Sequence, residues 1–239
     1  MIEAAKKFVC IRIATYEDQN EAQFVTERLM REGDSLRNFG YALASPGFED
    51  ILERSDRGPN FVYGSGEEMA AKLDSISENF TPRESTDSFP GVPKMKDVRL
   101  ALNVASCDGI PCLVIYGESE AELERLQQKM GVVAWDEEVA GRFIYAVASE
   151  EEALEGISGN RSGTGYLIVQ PDPYGLEGKV VATVSEPNSA DQLKSDLLAA
   201  VDDYSRIAKT HGQHVRSGRQ NGISWETEVA VPERDRMRR

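Results

Sequence analysis

Histidine and cysteine are scarce in this chain, with two and three residues among 239. Two histidines leave little for a hydrolase-type base, and no Ser/His/Asp arrangement suggests itself. Three cysteines, Cys10, Cys107 and Cys112, are too few and odd in number for a disulfide scaffold, and a reducing cytoplasm is the expected setting. Long apolar runs are missing too. None exceeds about six residues, far short of the roughly 20 that a helix needs to span a bilayer. Residues 1–9 carry no secretory hydrophobic core, so neither a signal peptide nor a membrane partner is expected. A basic excess is also lacking. The net charge is −14 and the pI about 4.7, so most of the surface repels a phosphate backbone and no nucleic-acid partner is expected.

Recognisable cofactor or metal signatures are lacking as well. His211-Gly-Gln-His214 has a ligand-like spacing, but it follows the last expected helix in a Gly-rich stretch with no thiol or carboxylate nearby in sequence. Gly64-Ser65-Gly66 opens a helix, yet Glu67 and Glu68 follow it and repel phosphate. The acidic segments around Glu118–Glu124 and Glu150–Glu152 read as solvated faces rather than catalytic carboxylate pairs. No cofactor and no metal are expected.

Hydrophobic residues make up 40% and charged residues 28% of the chain, which suits a globular protein with one large or two modest cores. The charge is uneven. From Arg206 to Arg239 there are eight Lys/Arg against four Asp/Glu, which leaves −18 on the remainder. That segment reads as a basic, flexible tail, with a docking arm for an acidic partner as the sharper alternative.

Two distant stretches read alike. Lys7-Phe8-Val9-Cys10-Ile11-Arg12-Ile13-Ala14 corresponds to Arg142-Phe143-Ile144-Tyr145-Ala146-Val147-Ala148-Ser149. Arg37-Asn38-Phe39-Gly40-Tyr41-Ala42-Leu43-Ala44-Ser45-Pro46 corresponds to Ser162-Gly163-Thr164-Gly165-Tyr166-Leu167-Ile168-Val169-Gln170-Pro171. Two copies of one unit are expected rather than a solenoid.

Periodicity and caps predict the elements. In the first unit, strands are expected at Phe8–Thr15, Phe39–Ala44 and Asn60–Tyr63, with helices at Asn20–Arg31 and Ser65–Phe80. Residues 83–96, rich in Pro and polar residues, read as a linker. The second unit opens with a helix at Asp97–Ser106, broken by Gly109-Ile110-Pro111. Strand Cys112–Tyr116, helix Ser119–Met130 stopped by Gly131, and strand Phe143–Ala148 come next, with short helices at Asp136–Ala140 and Glu150–Ile157. Strands Tyr166–Gln170 and Lys179–Val184 flank a Pro/Gly turn, and Ala190–Ile207 is the terminal helix. The domains are thus 1–82, a linker at 83–96, 97–207, and a tail at 208–239.

The order of elements in residues 97–205 resembles a thioredoxin-like domain. Ala101-x-x-x-Ala105 followed by Gly109-Ile110-Pro111-Cys112-Leu113-Val114-Ile115-Tyr116 is similar to that family's approach to its active-site helix. Gly163-Thr164-Gly165-Tyr166-Leu167 resembles the stretch that carries its cis-proline. The resemblance implies an α/β fold with a mixed sheet flanked by helices, in two units of which the first is incomplete. It also exposes a departure. Thioredoxin chemistry needs Cys-x-x-Cys at a helix N-terminus, and this chain has Gly117-Glu118-Ser119-Glu120-Ala121-Glu122 there. Gly165, and Gly40 in the first unit, stand where the proline would be.

The expected function is therefore that of a redox-inactive binding or scaffolding protein with a protein or peptide partner. The candidate contact residues are Phe39, Gly40 and Tyr41 in the first unit and Thr164, Gly165 and Tyr166 in the second, with the three aromatics as exposed anchors. Self-association through the first unit is a further expectation, because that unit lacks its opening strand and helix. The alternative is a thiol-disulfide oxidoreductase whose Cys-x-x-Cys lies upstream of Met1. Cys107 and Cys112 are a candidate thiol pair of unusual spacing, although a buried core role is the default for Cys112 and for Cys10.

Overall fold

A computed structural model of the chain describes residues 2–31, 33–38, 40–81, 91–161, 163–187, 189–202, 204–205 and 210–231. Two compact units emerge. Unit 1 comprises Met1–Glu84 with Trp225–Arg239, and unit 2 comprises Ser85–Ser224.

Unit 1 is built on a two-stranded antiparallel hairpin, β1 (Tyr41–Ala44) and β2 (Ile51–Ser55). Helix α1 (Ile2–Ala5) precedes it, as does α2 (Gln19–Phe24), which continues as a π-helical turn over Val25–Leu29. The Asp18 carboxylate caps α2 by accepting from the Asn20 and Glu21 amides. Helix α3 (Gly66–Ser77) follows the hairpin, capped by Ser65. Strand side chains alternate between faces, so the hairpin buries both. Tyr41 and Leu43 join Ala4 of α1 and Leu73 of α3. Ala42 and Ile51 join Val25, Leu29 and Met30.

The expected strand at Phe8–Thr15 does not form. Val9 is 74% and Ile11 63% exposed, and Cys10 is exposed rather than in a core. The β-branched composition is offset by how the segment is anchored. Phe8 packs into the α1–α3 cluster and Ile13 into the α2 cluster, so its ends face different cores instead of alternating onto one sheet. The expected strand at Asn60–Tyr63 is a 3-10 turn, Pro59–Phe61, for which Pro59 presets the backbone. Strand β2 was not expected at all.

Unit 2 carries helix α4 (Val98–Asp108), strand β3 (Cys112–Tyr116), helix α5 (Glu120–Ala134) and strand β4 (Ile144–Ala148). Strands β5 (Ile157–Ser158), β6 (Gly165–Pro171) and β7 (Gly178–Val184) and helices α6 (Ala190–Asp202) and α7 (His211–Gln220) complete it. The five strands form one mixed sheet in the order β4-β3-β6-β7-β5. β3 runs parallel to β4 and antiparallel to β6, and β6 pairs antiparallel with β7. Leu113, Ile115, Tyr166 and Ile168 face α5 and α6. Cys112, Val114, Leu167 and Val169 face α4. Each fully buried aliphatic side chain of this kind contributes about 1.5–3 kcal/mol of transfer free energy.

The local signals explain most boundaries. Asp97 accepts from the Leu100 amide at 2.7 Å and caps α4. Gly109, at φ 69°, ends that helix in the left-handed conformation. Gly131 does not stop α5, contrary to expectation. It is buried inside the helix, which runs three residues further to Ala134, and packing outweighs a glycine cost of about 1 kcal/mol. The expected linker also changes character near its end. The Met95 amide donates to the Tyr145 carbonyl, and the Trp135 indole donates to the Gly91 carbonyl. Residues 91–95 thus line the outer edge of β4. The expected tail holds α7, where His214 stacks on Tyr174 with ring centroids 4.5 Å apart.

Candidate functional site

The N-terminus of α5 and the turn entering β6 are the place where the sequence resemblance would put chemistry. Ser119 caps α5 by accepting from the Glu122 amide, and Glu122 Oε2 accepts in return from the Glu118 amide at 3.1 Å. The arrangement is like a capping box shifted by one residue, since the return bond goes to the amide just before the cap rather than to that of Ser119. The other oxygen of the same carboxylate, Oε1, accepts from the Thr164 hydroxyl at 2.5 Å. Glu122 thus holds its own helix end and the turn before β6 together. The first turn of α5 carries carboxylates at Glu120 and Glu122 and no thiol, a charge that suits the positive end of a helix.

One turn along, Arg125 grips Glu186 through Nε at 2.8 Å and Nη2 at 2.6 Å. Lys129 Nζ adds a contact to Glu186 at 2.6 Å and another to the Pro187 carbonyl at 2.9 Å. The Arg125 hydrogen bonds, followed by that of Lys129, hold the Glu186 carboxyl down at about 2. Fork-like Arg–carboxylate pairing of this type fixes orientation as well as charge. It ties the segment after β7 to the same helix that Glu122 ties to the turn before β6. The sequence reading missed both links, because the paired residues are 42 and 61 positions apart.

The candidate residues differ in burial. Phe39 lies outside the described residues. Gly40 is exposed, Tyr41 and Thr164 are half-buried, and Gly165 is buried. Tyr166 is not the exposed anchor expected of it. It is fully buried in the α5–α6 core and its hydroxyl donates to the Leu126 carbonyl at 3.0 Å. Tyr41 and Tyr63 meet edge to face, with their hydroxyls 3.1 Å apart. Burial first, and then that hydrogen bond, pushes the Tyr63 phenol above its usual range.

The two glycines share one property. A Cβ on Gly40 would strike the Arg57 carbonyl, and one on Gly165 would lie 2.5 Å from the Val184 carbonyl. Gly165 also sits at φ 140°, where any side chain is strained. Both therefore stand where one backbone approaches another.

Cys112 is fully buried, and burial pushes its thiol up to about 12. Cys107 and Cys10 are exposed, and all three thiols are free. Cys112 is thus buried and poorly ionised, and neither it nor Cys107 has a disulfide partner. Among the described residues, no group of three or more His, Cys, Asp or Glu side chains is placed to hold a metal ion. No described helix is long and apolar enough to cross a membrane. Comparison with protein-family models, curated proteins and solved structures finds no match.

Proposed function

We propose that this chain is a thioredoxin-like binding or scaffolding protein without thiol-disulfide activity, built from two related units and directed at a protein or peptide partner. The observation that carries the reading is Glu122. Where a reactive dithiol would stand, this carboxylate accepts from the Glu118 amide ahead of the helix and latches Thr164. A carboxylate held by two donors has neither the nucleophile nor the leaving group of disulfide exchange.

The fold part of the reading is supported by the strand order in unit 2, with the middle strand β6 antiparallel to β3 and with α5 and α6 sharing one face. Kinship of the units is supported by the elements at and beyond the second matched segment in each. β1 and β6 both open an antiparallel hairpin leading to a helix, α3 or α6. Both segments also carry a glycine backed against a neighbouring main chain. The first matched segments support it less, since residues 8–15 form no strand. On this reading the partner meets the rim around Thr164 in unit 2 and Gly40 in unit 1, with Tyr166 a core residue beneath the first.

Restoring the dithiol tests the reading. Ser119 and Glu122 stand at the spacing and helix end that a Cys-x-x-Cys pair requires. The double variant Ser119→Cys, Glu122→Cys should form an internal disulfide and accelerate insulin reduction by dithiothreitol in proportion to its concentration. A folded double variant whose two new thiols neither pair nor react would count against a thioredoxin-like site.

A further inference from the structure

Trp225–Val231 belongs to unit 1, although the 140 residues of unit 2 separate it from the rest of that unit. It has no regular secondary structure, yet its exposure alternates with period two. Trp225, Thr227, Val229 and Val231 are half-buried, and Glu226, Glu228 and Ala230 are exposed. That is the pattern of a strand laid on a surface with one face down. The Val229 amide donates to the Tyr16 carbonyl at 2.9 Å, and the Trp225 indole donates to Glu17 Oε1 at 2.7 Å.

The receiving surface is fixed in place. Glu17 N–H closes a turn onto the Ala14 carbonyl at 3.0 Å. The Ala14 amide donates to the Glu21 carboxylate. Tyr16 is 6% exposed, and its hydroxyl donates to the Leu36 carbonyl at 3.2 Å. The turn therefore presents the Tyr16 carbonyl in a set geometry, with Glu17 next to it, which lowers the ordering cost of binding an extended segment.

We propose that the Ala14–Glu17 turn of unit 1 is a recognition site for an extended peptide with a tryptophan followed at alternate positions by small and aliphatic residues. Its occupant is the chain's own Trp225–Val231, bound as a releasable strap. The main-chain bond from Val229 and the indole–carboxylate contact of Trp225 anchor the segment, and its alternate inward side chains supply selectivity. The proposal stands on unit 1 alone and is independent of the thioredoxin-like reading of unit 2.

The test places a protease site between Ile223 and Ser224 of the full chain and cuts the folded protein. The cut segment should remain bound on gel filtration at tens of micromolar. It should then exchange with a fluorescent peptide of residues 224–231, read by anisotropy. Trp225→Ala should speed its loss at least tenfold, and Glu17→Gln several-fold. Immediate loss of the segment on cutting would overturn the proposal. So would unfolding of unit 1 on cutting, since the strap would then be an obligate piece of core. Failure of a hundredfold peptide excess to exchange within a day would do the same.

Discussion

The Thr164 hydroxyl and the Glu122 carboxylate meet at 2.5 Å, joining the turn before β6 to the first turn of α5. Glu122 accepts at the same time from the Glu118 amide at 3.1 Å. One side chain therefore does two jobs, and losing it should cost more than losing its partner. Glu122→Ala is expected to destabilise unit 2 by about 1–2 kcal/mol through the loss of both side-chain hydrogen bonds together. Thr164→Val should cost about 1 kcal/mol, and the double variant less than the sum. Urea melts of the three variants measure this, and strict additivity would deny the coupling.

Glu186 makes stability depend on acid. Arg125 and Lys129 hold its carboxyl at about 2 in the folded state, against an ordinary value of 4.5. A depressed carboxyl contributes stability that is complete above its unfolded value and is lost as pH falls towards the folded one. The contribution should be intact above about pH 5 and decline between roughly pH 4.5 and pH 2. Melting temperatures of the chain and of Glu186→Gln should thus converge across that window, and parallel curves would contradict the assignment.

Gly165 and Gly212 separate strain from propensity. Gly165 combines φ 140° with a Cβ position 2.5 Å from the Val184 carbonyl, whereas a Cβ on Gly212 in α7 meets nothing within 4 Å. Gly165→Ala should cost about 2–4 kcal/mol, because both backbone strain and a clash with main chain arise. Gly212→Ala should be neutral or stabilise by up to about 1 kcal/mol. Thermal denaturation of the two variants decides.

The thiols should titrate in two classes. Cys10 and Cys107 are exposed and Cys112 is fully buried with its thiol raised to about 12. Two equivalents of Ellman's reagent should react promptly with the native chain and the third only on unfolding. Prompt reaction of all three would show that the α4 face of the sheet opens readily.

Local chemistry was legible in the sequence and long-range pairing was not. Ser65 and Asp97 announce helix starts and cap them, and the helix expected from Ser119 begins there, with Ser119 as its cap. The Cys112–Tyr116 run reads as a buried strand and is one. Phe8–Thr15 misleads, because β-branched residues favour a strand only where a sheet receives them, and Phe8 and Ile13 are drawn to separate clusters. Helix α7 has no apolar stripe to read. It rests on the Tyr174–His214 stack, 40 positions apart in sequence. The alternation at Trp225–Val231 is visible in the sequence, but the basic charge of the segment around it favoured a solvated tail. Of the candidate site, the missing thiols were plain from the sequence. The Glu122–Thr164 latch and the burial of Tyr166 depend on how β6 docks under α5, which no local pattern encodes.

Insulin reduction by dithiothreitol, followed as turbidity over a range of concentrations of the unaltered chain, tests the proposed absence of thiol-disulfide chemistry most directly. The onset of precipitation should match that of dithiothreitol alone at every concentration. A rate that climbs with the chain, and disappears in the Cys107→Ser, Cys112→Ser variant, would contradict it.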